Sequence, residues 1–140
     1  MTINLLQTIW GGFLASIVWF IIGGIFYMNP LVSKIHKKFE NSPAVKQWNN
    51  TKLFLIYMYL FILLECLLFA LVYSFIKPVF PGGVITNGLI LGLVLVAVNL
   101  IPSISGRWIL STYPNKLLFV DFIGGVLGSF VIGLTLAFII

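Results

Sequence analysis

Glu65 is the residue in this chain with the most chemistry to offer. It lies in Leu63-Leu64-Glu65-Cys66-Leu67-Leu68, with no other charged residue within ten positions on either side. A carboxyl group so placed has two uses. It can exchange a proton or hold a cation, or, in its neutral form, donate one hydrogen bond to a neighbouring helix. Ser129 is the expected internal partner, because each residue lies twelve positions into its own apolar block. Ser16 comes next.

Asp121 is the second acid inside an apolar block. Gly124, Gly125 and Gly128 follow it at i+3, i+4 and i+7, the face on which a helix can approach another closely. Asn99 shares a face with Gly88, Gly92 and Ser103, and Arg107 lies just beyond. Two arrangements follow. Asn99, Arg107 and Asp121 can form one polar cluster at the inner mouth of a bundle, with Asp121 facing the third block. Alternatively, Arg107 and Asp121 pair alone and pin the connection between the last two blocks. Gly88-x-x-x-Gly92 and Gly124-x-x-x-Gly128 are small-xxx-small patterns that serve packing within a chain or between chains.

Other catalytic patterns are missing. There is no Gly-rich phosphate loop, no zinc-ligand spacing and no nucleophile-base arrangement. His36 has no second His nearby, so a headgroup contact is expected of it rather than a metal. The single Cys66 excludes an internal disulfide and reads as a small buried side chain. The four Trp read as interfacial or packing residues. No enzyme activity, metal or cofactor is expected.

The elements that must position these residues are four apolar blocks, at 3–27, 53–76, 84–104 and 117–140. Each has the ~20 residues that a helix needs to cross ~30 Å of hydrocarbon. The chain is 140 residues long, 61% hydrophobic and 8% charged, a composition outside the soluble range. The expected fold is an all-α integral membrane bundle of four transmembrane helices forming a single domain over 1–140. Counted from Leu53, Glu65 falls ~18 Å along its helix, near mid-bilayer. The first block lacks a basic leader and a small-x-small cleavage site, so it reads as a retained span. The last runs to Ile140 with no soluble tail expected.

Charge sets the orientation. The first connection carries Lys34, Lys37, Lys38, Lys46 and Lys52, the third Arg107 and Lys116, and the second only Lys77. This seven-to-one asymmetry places the first and third connections in the cytoplasm and both termini outside, in a plasma membrane. It also argues against dual insertion. The net charge of +5 reads as contact with anionic lipid headgroups rather than nucleic acid.

Asn29-Pro30 ends the first helix, since the residue before proline is pushed out of helical geometry. Leu31, Val32, Ile35 and Phe39 then recur at helical spacing among Lys34, Lys37 and Lys38. That predicts a short amphipathic helix lying on the membrane, its lysines at the headgroups. Ser42-Pro43 reads as the cap and first turn of the second long helix. The breaker-rich turn at 78–83 predicts that the second and third spans are antiparallel neighbours. Pro102 predicts a kink, with an interfacial segment over 103–115.

Gly23-Gly24-Ile25-Phe26-Tyr27-x-x-Pro30, the basic stretch, Gly106-Arg107 and Asn115-Lys116-Leu117-Leu118-Phe119-Val120-Asp121 come in that order. In this the chain resembles the small four-helix membrane family catalogued as domain of unknown function 1761. The resemblance covers nearly the whole chain. It implies the four-helix architecture and assigns no catalytic residue. Glu65 lies outside its motifs. The expected role is a non-enzymatic accessory or structural membrane subunit, as a homodimer or in a larger complex. The alternative is a small dimeric proton- or cation-coupled transporter that uses Glu65.

Overall fold

The structure is a computed structural model and describes residues 4–140. Ile3, the first residue of the expected first span, lies outside them. The described chain is helical, with the order α1 (Leu5–Met28), α2 (Pro30–Phe39), α3 (Thr51–Ile76), α4 (Val84–Leu95), a π turn (Val96–Leu100), α5 (Ile101–Leu110) and α6 (Asn115–Ile139). Four helical segments are long and apolar enough to cross a membrane, α4 through α5 counting as one.

Local chemistry explains most boundaries. The Asn4 side chain caps α1 by accepting from Gln7 N–H at 3.2 Å. Asn29 leaves helical geometry before Pro30, and its side chain accepts from Leu31 N–H at 3.0 Å, so one residue ends α1 and starts α2. The start of α3 differs from the sequence expectation. Ser42 makes only a local turn, its hydroxyl 3.4 Å from Ala44 N–H. Asn50 is the true cap, with its side chain accepting from Lys52 and Leu53 N–H at 3.0 and 3.2 Å. It engages two of the orphan donors of the first turn, which Ser42 does not.

Pro102 disturbs the third segment, as expected, without ending it. The helix continues to Leu110, and the adjustment falls just before the proline. Ile101 N–H reaches back five residues to the Val96 carbonyl. The wider π turn absorbs one extra residue and accommodates the missing proline N–H.

By close backbone approach the four long helices follow the order α3–α1–α6–α4. α4 packs on α6, α6 on α1 and α1 on α3, whereas α3 and α4 have almost no close backbone approach. The expected antiparallel contact of the second and third spans is made through side chains, with Asn99 on Glu65, rather than by close backbone packing. The glycines decide which backbones can meet. A Cβ on Gly88 would lie 2.8 Å from Leu134 Cα, and one on Gly133 would lie 2.7 Å from Gly92 N. α4 and α6 therefore cross at glycine. Gly12 makes the equivalent approach of α1 to α3, where a Cβ would fall 2.9 Å from Leu67 Cα. The short 78–83 turn joins α3 to α4 without forcing close backbone contact along their length. Ala15, Cys66, Tyr73, Leu91, Ile132 and Leu136 form the centre of one buried cluster contributed by all four.

Candidate functional site

Two polar groupings stand out. The first joins α3 to the π turn. Asn99 Nδ2 donates to Glu65 Oε1 at 2.7 Å. Glu65 is half-buried and Asn99 is exposed, so the bond lies on the flank of the bundle where α3 faces the third segment. Neither expected serine partner is engaged with Glu65. Ser129 Oγ donates to the Gly125 carbonyl at 2.8 Å within its own helix. Ser16 Oγ donates to the Phe13 carbonyl at 2.7 Å and lies 3.4 Å from Tyr59 Oη. A serine in a helix can satisfy its hydroxyl locally, which the carboxyl group of Glu65 cannot.

The second grouping surrounds Asp121, at the end of the bundle that also carries α2. Arg107 Nη1 donates to Asp121 Oδ2 at 2.9 Å, and Tyr113 Oη donates to the same oxygen at 3.2 Å. The Asp121 side chain is 14% exposed and that of Arg107 41%. The guanidinium carbon lies 5.5 Å from the centre of the Tyr113 ring. Burial, together with the charge and hydrogen bond of Asp121, pushes the Tyr113 phenol up to about 12, against the opposing pull of Arg107. Tyr27 closes the other side. A Cβ on Gly124 would fall 2.8 Å from Tyr27 Oη. The His36 ring of α2 meets Tyr27 edge to face, with ring centres 5.6 Å apart. Arg107 Nε and His36 Nε2 are buried and make no hydrogen bond.

Asn99 therefore does not join Arg107 and Asp121, and the three-residue inner cluster is not formed. Asn99 and Arg107 are eight residues apart, ~12 Å along the helix and on different faces, so Asn99 reaches α3 while Arg107 reaches α6. Gly88 and Gly92 also lie on a different face from Asn99, against α6. Gly124 and Gly128 approach α1 rather than the third segment. Cβ atoms there would meet Tyr27 and, at 2.7 Å, Trp19. Lys34, Lys37 and Lys38 lie exposed on α2. The sequence reading missed Tyr113 and Tyr27 as neighbours of Asp121. The available signal was two tyrosines at block ends, one just before Asp121 and one following Gly23-Gly24.

Among the described residues, no three His, Cys, Asp or Glu side chains converge as metal ligands would. Protein-family models, curated proteins and solved structures yield no match to this chain. The chemistry must therefore be read from the two groupings. The first can exchange a proton or bond to a neighbour on the bundle flank. The second holds the α5–α6 corner against α1 and α2.

Proposed function

We propose that this chain is an integral membrane protein acting without catalysis, as a small accessory or structural subunit, and that it pairs with a second copy along the α3–α4 flank. The observation that carries this reading is the Glu65–Asn99 bond on the bundle flank. A carboxyl group and an amide joined by one bond still have unused donors and acceptors. Left facing hydrocarbon, an acid at mid-helix costs on the order of 3 kcal/mol on insertion scales. A second copy brings the same pair. The seven-to-one charge asymmetry gives every copy one orientation, with both termini outside and α2 on the cytoplasmic leaflet of the plasma membrane. Their two-fold axis then runs along the membrane normal, and the two polar pairs meet at equal depth. The four-helix architecture implied by the resemblance to the family of unknown function 1761 agrees with this reading.

The experiment is cysteine cross-linking in lipid bilayers at Leu68, which is exposed one turn from Glu65. The expected result is a covalent dimer from Leu68→Cys and none from Phe138→Cys. A monomer at every protein-to-lipid ratio would defeat the self-association. A different protein cross-linked at position 68 would keep the accessory role and replace the second copy.

A second reading is a dimeric proton- or cation-coupled transporter. It is favoured by a π turn placed beside a titratable group, because such turns recur at functional sites. In reconstituted vesicles this reading requires Glu65→Gln to abolish coupled flux while leaving the dimer intact.

A further inference from the structure

The segment between α2 and α3 folds back over the first turns of α3. Trp48 packs on Phe54 and Tyr57, with ring centres 5.7 and 5.8 Å apart. Lys46 Nζ lies 4.6 Å above the Trp48 ring. Below them a groove of about 560 Å³ opens sideways, walled by Trp48, Phe54, Tyr57, Met58 and Phe61. From Leu53 to Phe61 the wall follows one face of α3 at i, i+4 and i+8, running ~12 Å along the helix axis. The groove thus has a cationic mouth, an aromatic neck and an apolar floor aligned with the helix. Lys46 is not spent on a protein carboxylate: the one ion pair among the described residues is Arg107–Asp121. Lys52, exposed on the first turn of α3, adds a second positive charge near the mouth.

We propose that this groove is a binding site for one anionic phospholipid, its phosphate held by Lys46 and one acyl chain laid along Tyr57, Met58 and Phe61. The inference rests on the membrane reading above. It is distinct from the general attraction of α2 for headgroups, because the aromatic neck and the apolar floor select an amphiphile at one place. Trp48 gives the cation a face to lie on, and it gives the first methylenes of the chain a rigid wall. A zwitterionic lipid fits the floor equally well but cancels its own phosphate charge at the mouth.

The test uses two single-tryptophan forms of the full chain, with the other three Trp replaced by Phe, in vesicles of brominated lipid. In the form retaining Trp48, brominated phosphatidylglycerol should quench with about fivefold preference over brominated phosphatidylcholine, the enrichment that one lysine near the surface provides. Lys46→Gln should abolish that preference, while Lys37→Gln should leave it unchanged. The form retaining Trp10, exposed on α1, should be quenched equally by both lipids. Equal quenching of Trp48 by both lipids, or no quenching of Trp48 by either, would overturn the site while Trp10 still reports insertion. Quenching of neither tryptophan would overturn the membrane reading with it. Native mass spectrometry of the wild-type chain and Lys46→Gln gives a second measurement independent of the Trp replacements. One retained phosphatidylglycerol lost in the variant supports the site, and equal retention refutes it.

Discussion

Asn99 donates to Glu65 at 2.7 Å between α3 and the third segment, two helices that make little close backbone contact. Bonds of this kind within membranes couple their partners by about 0.6 to 1.7 kcal/mol. A double-mutant cycle with Glu65→Leu and Asn99→Leu should return a coupling energy in that range, read from unfolding in mixed micelles. Strict additivity of the two substitutions would show that the bond is not made.

The Asp121 carboxylate depends on Arg107 for its charge partner and on Tyr113 for a neutral donor. Arg107→Ala should destabilise the chain by roughly 1.5 to 3 kcal/mol, the range for hydrogen bonds to charged groups. Asp121→Asn should cost less, because Arg107 is exposed enough to be solvated. Arg107→Lys should rescue only part, since the ammonium lacks the planar fork. Thermal unfolding in one detergent checks the order.

Tyr113 predicts a stability loss at high pH. Its phenol is pushed up to about 12, first by burial and then by Asp121. In an unfolded chain a tyrosine titrates near ~10. The folded form therefore favours the protonated phenol, and this contribution is complete below pH ~10. It declines as pH rises through the window from there to about 12. Stability of Tyr113→Phe should fall less steeply than wild type over that window. Identical slopes would contradict the placement of Tyr113 against Asp121.

The glycines should divide into two classes. Gly88→Ala places a Cβ 2.8 Å from Leu134 Cα, where backbone must move. It should cost about 1 to 3 kcal/mol by overpacking. Gly24 and Gly106 have nothing within 4 Å of such a Cβ. Alanine there should be neutral or stabilising by up to about 1 kcal/mol, through helix propensity. A large loss at Gly24 or Gly106 would mean that those faces are covered in the working protein.

The proposed orientation is checked by labelling single cysteines in sealed vesicles. Position 41, in the basic first connection, should react only from the cytoplasmic side and position 82 only from the opposite side. Reaction of position 82 from the cytoplasm alone would reverse the topology.

The long helices were legible because each apolar block is longer than any soluble pattern requires, and the Asn29-Pro30 boundary because proline constrains its neighbour. Neighbour relations were less accessible. A tight turn at 78–83 fixes which ends are close, but the glycines at 88, 92 and 133 decide which helix α4 lies against. Placement of Asn99 with Arg107 and Asp121 failed for a related reason. Depth alone matches Asn99 to Asp121, but the eight residues from Asn99 to Arg107 span ~12 Å and the two side chains reach different helices. Pro102 signalled a disturbance without revealing that the helix would widen upstream of it. The pairing of Arg107 with Asp121 was one of two open arrangements, and no local pattern could choose between them.

The packing order also has a bearing on biogenesis. α1 and α3 can zip together as soon as both have left the ribosome, because their contact needs nothing made later. α4 emerges next and meets α3 through side chains only, since its close backbone partner is α6. α6 packs on both α1 and α4, so its docking brings Asp121 to Arg107 and Gly133 to Gly88. Before α6 docks, the α1–α3 pair and α4 are joined by the short 78–83 turn and can share the bond between Glu65 and Asn99.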